Sequence, residues 1–247
     1  MAKDLFSKQS SGYARFRPTY PAALFDWLAS VAPARDHAVD VGTGNGQSAV
    51  ELAERFARVT ALDPSQNQLD HATPHARVTY RRAPAEATGV EASGADLVTA
   101  SQAFHWFDHA RFFEEVRRIL RPDGVVAVWC YGLALITPEV DAVVHELYEG
   151  YLGTSWEPER RLVEDGYRSV ALPAGWRELE APSFEIQATW TLDHLIGYVE
   201  TWSALETYRR TRGEDPMRVI KPKLEAAWGE MKGRAGRWPL SVRAARR

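Results

Sequence analysis

Three groups of residues in this chain are suited to do chemistry. Val39-Asp40-Val41-Gly42-Thr43-Gly44-Asn45-Gly46-Gln47 is a β-rich run that turns through alternating glycines into a helical pattern. Such glycines let the backbone approach a ligand closely, and the helix start offers free N–H donors. Asp63 closes the next apolar run, Val59 to Leu62. A carboxylate at that place can accept hydrogen bonds from both hydroxyls of a ribose. The third group is Ser101-Gln102-Ala103-Phe104-His105-Trp106-Phe107, where His105 and Trp106 would flank a reacting centre. An aromatic face stabilises a cation and excludes water from it.

The spacing within the first group separates two ligand classes. A dinucleotide fingerprint has its third glycine at position 47, where this chain has Gln47, and Gly42, Gly44 and Gly46 instead follow G-x-G-x-G. A nicotinamide cofactor is thereby weakened as an expectation. The glycine turn alone could be a simple tight turn, and Asp63 alone a helix cap. Together they point to a nucleoside site.

The elements that must hold these groups alternate between short β-rich runs and helical stretches from His37 to Trp129, as in stacked β-α-β units around a parallel sheet. Ala38 to Val41, Val59 to Leu62, Val78 to Arg82, Asp96 to Ala100 and Val125 to Trp129 are the expected strands. Ala49, Leu52, Ala53 and Phe56 recur at helical spacing, as do Phe112, Phe113, Val116, Ile119 and Leu120 after an Asp108 cap. Pro122, Asp123 and Gly124 close the second of these helices. Beyond Tyr131 we expect helices near Pro138–Leu152, Asp193–Arg210 and Pro216–Lys232, and strands near Phe184–Leu192 and Trp238–Ala244. The stretch before Phe184, rich in Trp, Pro and Gly, is expected to be loop.

The chain has 247 residues, enough for one large α/β domain. The fold expected is a Rossmann-like, seven-stranded, mostly parallel sheet with helices on both faces and added C-terminal helices. One domain over 1–247 would comprise an N-terminal lid and helix (1–34), a cofactor-binding core (35–131) and acceptor-side helices with the last strands (132–247). A formal net charge of −3 provides no global field to collect a polyanion, so nucleic acid is disfavoured as partner. Short arginine clusters such as Arg209, Arg210 and Arg212 are expected to be solvated faces. Cys130 is the only cysteine, which excludes an internal disulfide and a cysteine-based zinc cluster; no metal is expected. Neither a signal peptide nor a run long enough to span a membrane is evident, so a cytoplasmic protein with no membrane partner is expected.

With these residues in view, the chain resembles class I S-adenosylmethionine-dependent methyltransferases of the methyltransferase type 11 domain group. Asp40 to Gly46, Asp63, Ala85-Glu86 and Ser101 to Phe107 fall in that family's order, over roughly Gly12 to Tyr131. The remainder is similar to trans-aconitate methyltransferase-like proteins. The resemblance implies S-adenosyl-L-methionine as cofactor. Asp40, Gly42, Thr43, Gly44 and Gly46 would hold its methionine part, Asp63 and Pro64 its ribose, and Ala85 and Glu86 its adenine. Gln102 would contact it from the loop after the fourth strand. The family often places an acidic residue just ahead of the Ala-Glu pair, and here that position is Pro84. In similar proteins the segment from Gly12 to Pro21 folds over the cofactor, so Tyr13 and Tyr20 would line the closed site. Arg15 or Arg17 would clamp a carboxylate of the cofactor or the acceptor. His105 and Trp106 would be the catalytic residues.

The activity implied is methylation of a small-molecule acceptor by a monomer or homodimer, with O-methylation of a carboxylic acid as one form. A carboxylate needs no general base, whereas an amine, phenol or alcohol would draw on His105. The competing readings are a nicotinamide-dependent oxidoreductase and a non-catalytic nucleoside-binding module. Trp129, Tyr131, Trp202 and Tyr208 are expected to pack core more than to line the acceptor pocket.

Overall fold

The structure, a computed structural model, describes residues 18–247. Strand β1 (His37–Val41) is buried along its whole length, as a central strand covered on both faces must be. Strands β2 (Arg58–Asp63) and β3 (Val78–Arg82) run parallel to it on one side, and β4 (Ala95–Ser101) and β5 (Leu120–Tyr131) on the other. The chain order reverses between β1 and β4, so their carboxyl ends open a crevice of the kind that binds ligands in α/β sheets.

Successive strand residues point to opposite faces, and each face has its own core. Ala38, Ala61, Leu97 and Trp129 meet Leu24, Phe25 and Leu28 of helix α1 (Ala22–Val31) and Leu52 of helix α2 (Gln47–Ala53). Val39, Val41, Leu62 and Val98 meet Phe112, Val116 and Ile119 of helix α4 (His109–Ile119) on the other face. A short helix α3 (Gln66–Asp70) follows β2. Asp108 caps α4 as expected, its side chain accepting the Arg111 N–H at 3.2 Å. Strand β5 begins earlier than its apolar run because residues 121–124 loop out between the Ala95↔Leu120 and Leu97↔Val125 pairs, with Asp123 at φ +62°.

The second half of the chain builds a cap over the carboxyl end of β5. Helix α5 (Pro138–His145) continues as a π-helical turn (Glu146–Tyr151), and α6 (Arg160–Glu164), β6 (Arg177–Leu179) and β7 (Phe184–Trp190) follow. Helices α7 (Leu192–Glu200), α8 (Ser203–Arg212) and α9 (Met217–Trp228) then lead to β8 (Arg234–Arg246). Val140, Leu147, Leu195, Leu205, Ile220 and Trp238 form a third core that takes in Tyr131 at the end of β5.

Strand β8 pairs antiparallel with β5 through residues 240–246 and with β7 through residues 234–240. It also carries β6 on its other edge, so the sheet has eight strands rather than the seven expected from the sequence, in the order β3-β2-β1-β4-β5-β8-β6 with β7 also on β8. The expected helix over Asp193–Arg210 is two, because Trp202 is extended (ψ 127°) and turns its ring into the cap core between them. The short α6 and β6 occupy what the sequence reads as loop. No helix among the described residues is long and apolar enough to cross a membrane.

Candidate active site

The glycine turn connects β1 to α2 at the mouth of the crevice. Gly42 has φ +68°, and a Cβ there would stand 2.5 Å from the Ala103 Cβ, so the turn and the loop after β4 pack as only glycine permits. Gly46, at φ +85°, begins α2, and a Cβ there would stand 2.2 Å from the Tyr80 hydroxyl. This third glycine therefore makes room for the Tyr80 ring, which donates to the Thr73 carbonyl at 2.7 Å. Burial, followed by the Asp40 charge, pushes the Tyr80 hydroxyl up to about 12.

Asp63, at the carboxyl end of β2, grips the turn. Its Oδ2 accepts the Gly44 N–H and its Oδ1 the Ser65 N–H, each at 2.9 Å. Pro64 follows, its carbonyl bound by Arg82 Nε at 3.0 Å. One strand away, Asp40 is fully buried and faces its register partner Thr99, whose hydroxyl donates to Oδ1 at 2.7 Å. Burial raises the Asp40 carboxyl to about 6, and the Asp63 charge adds to the rise. The Thr43 and Thr99 hydroxyls oppose it, Thr43 without a well-directed hydrogen bond. Asp40 Oδ2 and Thr43 Oγ1 are thus both buried without a partner among the described residues.

Beyond β4 the chain turns sharply at Gln102, at φ +51°. The Gln102 amide is committed to the end of β5: Nε2 donates to the Tyr131 carbonyl at 3.1 Å and Oε1 accepts the Tyr131 N–H at 2.9 Å. This splices the loop onto the sheet and presents His105 and Trp106, whose rings lie 4.7 Å apart. His105 is buried, its Nδ1 3.0 Å from the Tyr167 hydroxyl, and burial drops its pKa to about 3. The ligand-free imidazole is therefore neutral, and a weaker base than a free histidine. Tyr167 is itself fully buried at φ +63°, between His105 and Cys130. Nothing in the sequence marks Tyr167, because only the folding of residues 160–170 against β5 and the 104–106 turn brings it there.

Ala85 is buried beside this loop, and Glu86 accepts the Asp108 N–H through Oε1 at 2.9 Å, bracing the cap of α4. One of its oxygens is thereby engaged away from any adenine. Tyr13, Arg15 and Arg17 lie outside the described residues. Trp129 and Trp202 are buried core, and Tyr131 joins the cap core, while Tyr208 is partly exposed against it. A cleft of about 610 Å³ between α4 and residues 162–173, walled by His109, Phe113, Arg117 and Val170 among others, takes no residue from the glycine turn or the end of β2.

A methyltransferase domain model matches residues 39–128, the segment that holds every one of these cofactor-side groups within the described residues. A methyltransferase of Dictyostelium discoideum is 35% identical over 91% of this chain and 86% of its own length. The chain belongs to the methyltransferase family. A solved type II methyltransferase of Anaeromyxobacter dehalogenans is 50% identical and superposes with a TM-score of 0.87 over 94% of this chain and 98% of that one. An S-adenosylmethionine-dependent methyltransferase of Saccharomyces cerevisiae is 28% identical over 70% of this chain and 62% of its own length.

The methyltransferase depends on S-adenosylmethionine, and its residues fit that cofactor. The unpartnered Asp40 Oδ2 and Thr43 Oγ1 are buried polar atoms that a ligand with donor groups would satisfy. The comparisons favour the methyltransferase over the nicotinamide-dependent oxidoreductase and the non-catalytic module.

Proposed function

We propose that this methyltransferase methylates a carboxylate oxygen of a small organic acid, in the manner of the trans-aconitate methyltransferase-like proteins its second half resembles. The observation that carries this reading is His105. Buried and tied to Tyr167, with its pKa lowered to about 3, it is a weak proton acceptor. An amine, phenol or alcohol needs a group that accepts a proton, whereas a carboxylate is already ionised.

S-adenosylmethionine supplies the methyl group on a sulfonium. Asp40 and the N–H groups of the glycine turn hold the methionine end, and Asp63 accepts from the ribose hydroxyls with the lone pairs its two backbone bonds leave. The Ala85 main chain borders the adenine. His105 and Trp106 wall the transfer position, where they exclude water and orient the acceptor oxygen. A net charge of −3 supports a small molecule over nucleic acid as acceptor. We place the enzyme in the cytoplasm as a monomer or homodimer without a membrane partner.

The test is S-adenosylhomocysteine release with a panel of small carboxylic acids set against matched amines, phenols and alcohols, followed by a pH profile on the best acceptor. Turnover on acids with kcat level through neutral pH is expected. Turnover confined to amines or phenols, with kcat climbing through neutral pH, would sink the reading.

A further inference from the structure

Arg160 is a cation of the cap with no carboxylate partner among the described residues. Arg160 opens α6 and is half-buried. Its Nε donates to the Tyr148 hydroxyl at 2.8 Å, and that hydroxyl donates onward to Glu164 at 2.7 Å. The guanidinium lies 5.1 Å from the Trp156 ring centre and 5.5 Å from that of Tyr148. Among the described residues it pairs with no carboxylate, and its two Nη groups have no hydrogen-bond partner. Arg209 and Arg55, also half-buried, are by contrast neutralised, Arg209 by Glu200 and Asp215 and Arg55 by Asp26 and Glu51.

Two further features give this cation a direction. Its charge is close enough to act on His105, Tyr167 and Cys130, which places it near the loop after β4. Beside it the partly exposed Trp156 ring stands 5.6 Å from the buried Trp202, which backs it from the cap core together with Tyr148. A partly desolvated guanidinium without an anion is unfavourable, and its free Nη edge has the fork geometry that matches a carboxylate.

We propose that Arg160 is the anion anchor of the acceptor subsite: its Nη edge receives an acidic group of the acceptor, whose carbon frame lies against the Trp156 ring. The reading of the acceptor as an organic acid underlies the choice of ligand. Arg160 is then a specificity-determining residue for binding, separate from the groups that flank the transferred methyl.

The experiment uses the full chain saturated with S-adenosylhomocysteine. Benzoate, phenylacetate, succinate and fumarate, each paired with its carboxamide, are titrated while tryptophan fluorescence is followed, since Trp156 borders the proposed subsite. Arg160→Ala, Arg160→Lys and Arg160→Gln are compared with the wild type. Arg160→Gln keeps a donor for Tyr148 and so guards against loss of the fold, and unchanged S-adenosylhomocysteine affinity reports on folding. At least one acid is expected to bind tenfold or more tightly than its amide, with that advantage lost in the Ala and Gln variants and partly kept in Lys. No acid preferred over its amide, or a preference untouched by Arg160→Gln, overturns the anchor. S-adenosylhomocysteine release from S-adenosylmethionine with the same acids separates the two readings. Arg160-dependent binding without turnover removes carboxylate methylation and leaves the anion site, whereas turnover indifferent to Arg160 does the reverse.

Discussion

Gly44 donates its N–H to Asp63 Oδ2 at 2.9 Å, so the carboxylate placed to meet a ribose also braces the glycine turn that meets the rest of the cofactor. The two halves of the nucleoside site are mechanically one. Asp63→Ala removes the brace and the acceptor together, and Asp63→Asn turns an amide donor toward one of two backbone donors. Since hydrogen bonds to charged groups contribute about 1.5–3 kcal/mol each, either variant is expected to bind S-adenosylhomocysteine roughly 10–100-fold more weakly by calorimetry. Affinity within twofold of wild type would contradict this placement.

Gly46 is a packing glycine. Gly46→Ala pushes a Cβ into the Tyr80 ring, where the nearest atom is 2.2 Å away, and imposes a left-handed φ on a residue with a side chain. Overpacking of this kind costs about 1–3 kcal/mol, read as a lower midpoint in urea unfolding. Pairing it with Tyr80→Ala should restore only part of the loss, because the half-buried Tyr80 ring also stabilises the fold. A Gly46→Ala midpoint equal to wild type would show that the turn relaxes freely.

Asp40 sets a pH dependence of stability. Its folded pKa of about 6 lies above the ordinary carboxyl value of 3.8, so between these values the folded chain keeps a proton that the unfolded chain has released. Stability of the ligand-free protein therefore falls as pH rises through that window, by on the order of 3 kcal/mol at most, and is level above it. Asp40→Asn should abolish the slope and bind S-adenosylhomocysteine more weakly. Urea midpoints from pH 4 to pH 7 that fall equally in both proteins would refute the assignment to Asp40.

Glu86 separates a brace from a cofactor contact. If its work is the bond to the Asp108 N–H, Glu86→Ala should cost roughly 1 kcal/mol of stability while leaving S-adenosylhomocysteine affinity within twofold. A tenfold loss of affinity at unchanged stability would return Glu86 to the adenine.

The buried histidine gives a fifth distinction, in rate rather than affinity. His105→Ala opens the wall of the transfer position without touching the glycine turn, so kcat should drop by at least tenfold while S-adenosylhomocysteine binding holds. Equal losses in both would place His105 on the adenosine side.

The sequence by itself determined the parallel core. The β-rich runs ending at Val41, Leu62 and Ala100, the helical stripes that follow them and the Asp108 cap are local patterns, and periodicity and capping are local physics. It also determined Asp40, the glycine turn and Asp63, because each sits at the carboxyl end of a strand that its own residues define. The tertiary structure alone decided what those side chains meet. Asp40 stands opposite Thr99 through strand pairing, Gly46 makes room for Tyr80 two strands away, and Glu86 turns to Asp108 instead of outward. It decided the second half as well: whether Trp202 continues or breaks a helix, and that β8 is long enough to hold both β6 and β7, depend on packing between distant segments. Tyr167 and Arg160 carry no motif. Only the assembled core packs Tyr167 against His105 and brings the Arg160 charge near it.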